Sequence, residues 1–354
     1  MRLFGRESES AGPRESGAAD PAEAIAAFWA WWERARPGID AHVEAEDPEA
    51  LAETIGPAVA ALHPSLVWEV VPGRLAVHAL VVSASADPEL RPFAHRWALA
   101  APPVDAMWEF HPSRQANAQA GNVTFDVGGR EFGLDRLVVA LRVPPGTPRV
   151  NVTAFHPIFP DIDEEARTEA TFTALDWLLG EDEVARWVGE IQAAEFEPID
   201  ALPAVHLPSV VADVAEGFAE EQWALLEGHT ATGGRLTAAA RYPLRPVDFP
   251  LFDQHIAVTL PYEHADADGQ PAGASLDALR EFEERLTGRL AAHGPAVLAA
   301  HLSADHTRTL HLYADRAADV PPVVEEVAAG WKEGPARVET AEDPSWSAVA
   351  PFLT

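Results

Sequence analysis

Histidine is the residue type in this chain with the most obvious chemical potential. His301, His306 and His311 are evenly spaced within one short stretch, and imidazole nitrogens are common zinc ligands. The pattern nevertheless predicts no zinc site. His306 falls in a predicted turn, and His301 and His311 have no third ligand at a metal-binding spacing.

Other chemical motifs are either incomplete by one required residue or missing from the sequence. Asp266-Ala267-Asp268-Gly269 resembles the start of a calcium loop, but Ser275 stands where that loop requires a glutamate. The chain has no His-Glu-x-x-His, no phosphate-binding Gly-Lys-Ser/Thr loop, no Gly-x-Ser-x-Gly and no dinucleotide fingerprint. It also has no cysteine, which removes thiol nucleophiles and thiolate metal sites. We therefore predict no catalytic residue, no metal ligand and no cofactor.

The elements that would position the histidines follow a regular order. Period-two alternation predicts strands, and apolar residues three and four apart predict helices. The predicted order is strand, helix, strand, strand, helix, strand, with these approximate bounds: strand 255–260, a helix from Ser275 to Gly294, strands 297–302 and 307–313, a helix from Asp319, and strand 336–340. This is the ferredoxin-like arrangement, in which two helices cover one face of a four-stranded antiparallel sheet.

Alternation along the predicted strands assigns side chains to the two faces of this sheet. We expect the following residues to point at the helices: Ile256, Val258, Leu260, Leu298, Ala300, Leu302, Leu310, Leu312 and Val338. The opposite parity predicts a polar face made of His255, Thr259, His301, His311, Tyr313, Arg337 and Glu339. One face of an antiparallel sheet is often left open. The polar face is therefore either solvated, packed on the first domain, or a binding platform.

The rest of the chain predicts an N-terminal domain of mixed α/β structure with mostly antiparallel strands. Asp20 should cap a helix that stops near Arg36, because Pro37-Gly38 follows. Gly128-Gly129 separates two alternating runs and predicts a tight hairpin, and Asp163 should cap a helix through Leu179. The predicted organisation is α+β in two domains: a disordered tail (1–20), an N-terminal domain (21–196), a linker (197–222) and a ferredoxin-like domain (223–354).

The charge of the chain limits its possible partners. Its 354 residues include 25 Lys+Arg against 56 Asp+Glu, a formal net charge of −31. Such a chain repels phosphate backbones and anionic membrane surfaces, so we expect neither nucleic acid nor membrane as a partner. The first residues lack the apolar core of a signal peptide, which favours the cytoplasm. A protein with a basic surface is the partner class that fits.

The order of motifs in the second half resembles a known bacterial family. It comprises the alternating strand 255–260, the acidic Asp-Gly loop, the helix from Ser275, the run Leu310-His311-Leu312-Tyr313-Ala314-Asp315 and the closing Asp343-Pro344-Ser345-Trp346. Together they resemble the domain-of-unknown-function family six-nine-five over about 223–353. That family is similar in outline to the regulator of ribonuclease E activity B, which shares a ferredoxin-like core and a terminal Asp-Pro-x-Trp. The first half resembles the uncharacterised region that often precedes such domains.

The resemblance implies no catalytic residues and makes protein binding a reasonable role. Our leading hypothesis is therefore a non-enzymatic cytoplasmic module that binds or regulates a protein partner. One alternative is a small-molecule or metal-assisted hydrolase that uses the polar face. A second alternative is an immunity-type protein that neutralises a basic toxin. The sequence does not distinguish a monomer from an oligomer.

Overall fold

A computed structural model describes residues 20–117 and 119–354 of the chain. It divides into two compact units, one made of the described residues up to Val214 and the other of Ala215–Thr354. Both units are mixed α+β structures. The predicted disordered tail lies outside the described residues, apart from Asp20.

The first unit contains helices and three groups of strands. Its helices are α1 (Pro21–Glu44), α2 (Pro48–Leu62), α3 (Arg91–Leu99), α4 (Glu164–Leu179), α5 (Glu181–Trp187) and α6 (Leu207–Glu216), whose last two residues belong to the second unit. Its strands are β1 (Val67–Pro72), β2 (His78–Ser83), β3 (Trp108–His111), β4 (Thr124–Val127), β5 (Arg130–Gly133), β6 (Val138–Arg142), β7 (Val150–Phe155), β8 (Val188–Ala193) and β9 (Leu202–Pro203). The segment predicted as a linker thus contains β9 and α6.

Most strand pairs of the first unit are antiparallel, as predicted. The sheets have the orders β1-β2-β3 and β8-β7-β6-β9, and β4 and β5 form a separate hairpin. Two pairs, β2 with β3 and β7 with β8, are parallel. Gly128 and Gly129 have φ values of 61° and 78°, the left-handed conformation that a two-residue hairpin turn needs.

Helix α1 is longer than the sequence predicts. It continues through Pro37 and Gly38 to Glu44, although a proline inside a helix removes one backbone hydrogen bond. Ile39, one residue past the predicted stop, is completely buried in the core of the unit. The burial of this apolar side chain offsets much of the local cost of Pro37.

The core of the first unit is rich in aromatic side chains. Trp29 stacks on Trp97 with ring centroids 4.9 Å apart, and its indole N–H donates to the Trp97 carbonyl at 3.0 Å. Trp32 packs edge-on against Trp108 at 5.1 Å, and both are almost completely buried. These tryptophans pack against one another and form no open cage.

The second unit is one antiparallel sheet with two helices. Its strands are β10 (Gln222–His229), β11 (Arg235–Tyr242), β12 (Gln254–Pro261), β13 (Ala296–Ala304), β14 (Thr307–Ala314) and β15 (Arg337–Glu342). Its helices are α7 (Gly273–His293) and α8 (Pro321–Ala328). The strand order is β10-β11-β13-β14-β12-β15.

The prediction of a four-stranded sheet is wrong, because the sheet has six strands. The additional strands are β10 and β11, which form a hairpin in the register Gln222↔Tyr242 to His229↔Arg235. This hairpin joins the edge of β13 through the four pairs from Thr237↔Ser303 to Ala240↔Ala300. The sheet therefore ends at β10 on one side and at β15 on the other.

Helices α7 and α8 cover one face of this sheet. The core between them includes Ile256, Val258, Leu260, Leu298, Leu310 and Leu312, with Val338 at its margin. These residues were predicted to point at the helices. Ala300 and Leu302 were predicted to join them but lie outside this core, because the β13–β14 register shifts between Leu298 and Ala300. A β-bulge adds one residue to a strand and reverses the facing of every residue beyond it.

Part of the opposite face is covered by the segment 343–354. Trp346 and Val349 are completely buried there, with Leu244, Val297, Ala299 and Tyr313 as their apolar neighbours. One backbone hydrogen bond attaches the C-terminal end of this segment, because the Thr354 N–H donates to the Leu244 carbonyl at 3.0 Å. Among the described residues, no helix combines the length and the apolar character needed to cross a bilayer.

Candidate interaction surface

The predicted polar face contains a pair of bonded histidines. His255 Nε2 and His311 Nδ1 are 2.9 Å apart, and the two rings stack with centroids 5.1 Å apart. Burial lowers the pKa of His311 to about 4, and the neighbouring His255 imidazole acts in the same direction. Burial also lowers the pKa of His255, against an opposing effect of Asp343. Both imidazoles are therefore neutral at pH 7, which suits a structural pair.

Tyr313, the next residue of the predicted face, packs against the segment 343–354, which covers it. Its ring stacks on Trp346 with centroids 3.9 Å apart and an interplanar angle of 6°. Its hydroxyl donates to Asp343 Oδ2 at 2.6 Å, and Asp343 also accepts from the backbone N–H groups of Ser347 and Ala348. Burial and the bond to Asp343 raise the pKa of Tyr313. The Asp-Pro-Ser-Trp motif thus fixes the segment to the sheet.

Three further residues of the predicted face lie towards its rim. Thr259 Oγ1 is 3.5 Å from Thr309 Oγ1, and Arg337 pairs with Thr259 across the strands. Glu339 pairs with Ala257, and both charged side chains are exposed on edge strand β15. The structure therefore brings six of the seven predicted residues onto one face of the sheet.

His301 is the exception, because the bulge in β13 turns it to the helix-covered face. There His301 Nδ1 lies 3.2 Å from Glu283 Oε2 of α7. Arg308 donates to the other oxygen of Glu283 at 2.8 Å and to Ser303 Oγ at 2.9 Å. Burial alone would raise the pKa of Glu283, but His301 and Arg308 outweigh it and lower the pKa. His301 therefore contacts the ion pair of Glu283 and Arg308 on the helix-covered face.

Neither arrangement offers a metal site. In the part of the chain that the structure describes, no three His, Asp or Glu side chains converge as metal ligands. His311 Nε2 is buried and has no hydrogen-bond partner among these residues. His255, which is bonded to the other ring nitrogen of His311, adds one nitrogen, and two nitrogens are too few donors for a zinc site.

The largest exposed apolar side chains of the second unit lie elsewhere, on strand β10. Leu225 is 84 % exposed, Trp223 39 % and Leu226 40 %. Because side chains alternate along a strand, Trp223 and Leu225 share one face of the sheet and Leu226 lies on the other. The ring centroids of Trp223 and His301 are 6.3 Å apart, and the Arg241 guanidinium carbon is 5.9 Å from the centroid of the Trp223 ring.

Strand β10 also presents backbone groups that no strand of the described chain pairs with. The N–H of Thr230 donates to the Gly234 carbonyl, which makes Thr230 and Gly234 a hydrogen-bonded pair of the hairpin. Antiparallel ladders alternate, so the even-numbered residues of β10 bond to β11. The backbone N–H and C=O groups of Trp223, Leu225, Glu227 and His229 consequently point away from the sheet. They form a free edge along the strand.

The surroundings of this edge are acidic. Glu220, Glu221 and Glu227 are exposed on or next to β10. Arg241 pairs with Glu221 at 2.9 Å and Arg235 pairs with Glu227 at 2.8 Å. The unit Ala215–Thr354 as a whole carries 22 acidic and 10 basic side chains. A cation approaching the edge is therefore attracted.

The sequence did not predict β10, although it carried one usable signal. Gly233-Gly234 directly precedes β11, and paired glycines are typical of hairpin turns. The run Trp223-Ala224-Leu225-Leu226 does not alternate between apolar and polar residues, so periodicity alone does not identify it as a strand. The turn, taken with β11, would have predicted a partner strand before it.

Residues 244–354 match the model of a family of unknown function (DUF695). This confirms the family predicted for the second half. The match covers β12 to β15, α7, α8 and the segment 343–354, and it begins after the hairpin β10–β11. No curated protein and no solved structure matches the chain.

Proposed function

We propose that this protein is a non-enzymatic protein-binding module, and that β10 receives an extended, positively charged segment of its partner as an additional strand. The observation that carries the proposal is the exposed edge of β10 with its large apolar side chains. Native sheets protect their edges with short strands, lysine, proline or bulges. Strand β10 has eight residues and includes no lysine, no proline and no bulge, and Glu227 is its one acidic side chain.

The partner segment follows from the chemistry of the edge. Main-chain hydrogen bonds to the outward groups of Trp223, Leu225, Glu227 and His229 supply affinity without sequence preference. An apolar side chain of the partner would lie beside Leu225, because neighbouring strands align their side chains in rows. Basic residues of the partner would meet the acidic surroundings, and their attraction speeds encounter. A second copy of this chain fits less well, since it would bring two acidic edges together.

The alternatives receive less support from the geometry. A hydrolase that uses the polar face needs accessible histidines, whereas His255 is buried and its Nε2 bonds to His311. An immunity-type role is one form of the same proposal, in which the basic partner is a toxin. The arrangement of the four strands β13-β14-β12-β15 with α7 and α8 supports a ferredoxin-like core, which the hairpin β10–β11 extends.

A proline substitution provides a sharp test of strand addition. The N–H of Leu225 points outwards, so Leu225→Pro removes a donor at the free edge and no bond between β10 and β11. Leu226→Pro removes a donor inside the hairpin and serves as the matched control. We expect Leu225→Pro to leave the melting temperature nearly unchanged and Leu226→Pro to lower it.

The binding probe is a fluorescently labelled short peptide of alternating lysine and valine, followed by anisotropy. We expect saturable binding that weakens with salt, and a loss of about tenfold or more in Leu225→Pro. A peptide with a central proline and one of alternating glutamate and valine should both bind more weakly. Equal binding by Leu225→Pro, or by the peptide with the central proline, would show charge attraction without strand addition. A wild-type dimer that Leu225→Pro converts to a monomer would also contradict the proposal.

A further inference from the structure

The first unit contains a pocket whose chemistry is separate from that of strand β10. The cavity has a volume of about 670 Å³ and lies along β1, the edge strand of its sheet, beside the turn between α1 and α2. Strand β1 contributes consecutive residues from Trp68 to Pro72. Ligand pockets of proteins usually measure about 300–1,000 Å³, so this cavity can enclose a small organic molecule.

The walls of the pocket are apolar and aromatic. The indole of Trp68 and that of Trp177 both line it, together with Val43, Leu51 and Val70. Flat rings bury a large area at low entropic cost, and an indole face also attracts a cation. The pocket therefore suits a ligand with a flat apolar body.

The charged groups of the pocket are carboxylates. Glu46 and Glu69 line it, whereas no lysine or arginine of the described residues does. Glu69 is bound on both oxygens by Arg114, at 2.6 and 3.0 Å, and the Arg114 guanidinium also lies over the ring of Trp177. The exposed Glu46 belongs to the turn that precedes α2.

Arg114 does not neutralise the negative charge beside the pocket, because it interacts with more than one carboxylate. Its Nη1 is 3.4 Å from Asp176 Oδ2, and its backbone N–H donates to the buried Glu181 at 3.3 Å. Burial alone would lower the pKa of Arg114, but Glu69, Asp176 and Glu181 together raise it. Glu69 and Asp176 thus share one guanidinium, and the nearby Glu181 adds a third negative charge, which leaves the local potential negative.

We propose that this pocket binds a small organic amine with an aromatic ring, its ring between the apolar walls and its ammonium group towards Glu46 and Glu69. An acid of the same shape would meet negative charge, and a neutral analogue would gain the apolar contacts alone. The sign of the ligand charge therefore decides affinity.

Three probes of nearly equal shape test this order by isothermal titration calorimetry at low salt: 2-phenylethylamine, 2-phenylethanol and 3-phenylpropionate. We expect the amine to bind at least about tenfold more tightly than the acid, with the alcohol between them. Added salt should reduce the preference. Equal affinities for amine and acid, or no saturable binding of the amine, would overturn the proposal.

Variants locate the binding in the pocket. Glu46→Gln should weaken the amine several-fold and leave the alcohol unchanged, whereas Glu44→Gln, outside the pocket lining, should change neither. Val123→Trp places a larger side chain in the cavity and should weaken all three probes. Amine binding that survives both Glu46→Gln and Val123→Trp would place the amine elsewhere and overturn the assignment.

Discussion

Asp343→Asn tests the contact that fixes the segment 343–354 to the sheet. Asp343 is almost completely buried, and Oδ1 accepts from the Ser347 N–H at 2.8 Å and the Ser347 hydroxyl at 2.7 Å. Oδ2 accepts from the Ala348 N–H at 3.0 Å and the Tyr313 hydroxyl at 2.6 Å. Asparagine has the same shape but replaces one of these acceptor oxygens with an NH₂ donor.

The expected cost follows from the bonds that asparagine cannot make. If its oxygen stays on Ser347, the amide nitrogen faces two donors, so two bonds to a buried charge are lost. Hydrogen bonds to charged groups contribute about 1.5–3 kcal/mol each, and Tyr313 can turn its hydroxyl to accept. We expect Asp343→Asn to lower the free energy of unfolding by about 3 kcal/mol, and Tyr313→Phe by about 1–2 kcal/mol.

The double variant should cost less than the sum of the two single changes. Both substitutions remove the bond from the Tyr313 hydroxyl to a charged carboxylate, so a coupling of about 1 kcal/mol is expected. Urea unfolding of the full chain measures the cost, and hydrogen exchange of residues 296–314 shows whether the loss lies in the second unit. The exposed Asp277, changed to Asn, is the control and should cost almost nothing.

Two results would refute this reasoning. A cost of Asp343→Asn below about 0.5 kcal/mol would show that the carboxylate stabilises nothing. Fully additive costs would show that the Tyr313 hydroxyl and Asp343 act independently, despite their separation of 2.6 Å.

Further substitutions test other features of the fold. The pKa of His311 is lowered to about 4 from its ordinary 6.5, so its contribution of about 3 kcal/mol is present above pH 6.5 and lost as pH falls to 4. His311→Gln should flatten this part of the pH–stability curve in urea titrations. Gly129→Ala should cost about 1 kcal/mol, since its φ is 78°, whereas Gly228→Ala should cost less, because its φ is not positive; thermal melts compare the two. Glu283→Gln leaves Arg308 buried without a carboxylate and should cost about 3 kcal/mol, measured by urea unfolding.

Local chemistry made several elements predictable. Asp163 accepts from the Ala166 N–H at 2.8 Å and caps α4 as expected, because a carboxylate there satisfies a free helix donor. Gly128 and Gly129 form the predicted hairpin turn, since a type I′ turn needs two positive φ values, which glycine adopts without strain. The order of strands and helices from β12 to β15 was also predictable, because each element has a strong apolar period.

The remaining features depend on contacts between distant residues. Helix α1 passes Pro37 because Ile39 is buried by a core that a local pattern does not contain. His301 changes face because the register of β13 against β14 shifts at Ala299, and no residue type in β13 marks that shift. The parity argument therefore held on β12 and β14 and failed on β13 beyond the bulge.

The hairpin β10–β11 is joined to the rest of the sheet by few residue pairs. Strand β11 pairs with β13 at four positions, whereas β12 and β14 pair at eight. The β11–β13 pairing includes fewer residue pairs than any other pair of neighbouring strands in this sheet, so we expect the hairpin β10–β11 to open first under native conditions. Native-state exchange should therefore release β10 and β11 together before β12 to β14. A strand added to β10 would lie on the most weakly attached part of the sheet. Its binding would therefore be coupled to the pairing of β11 with β13.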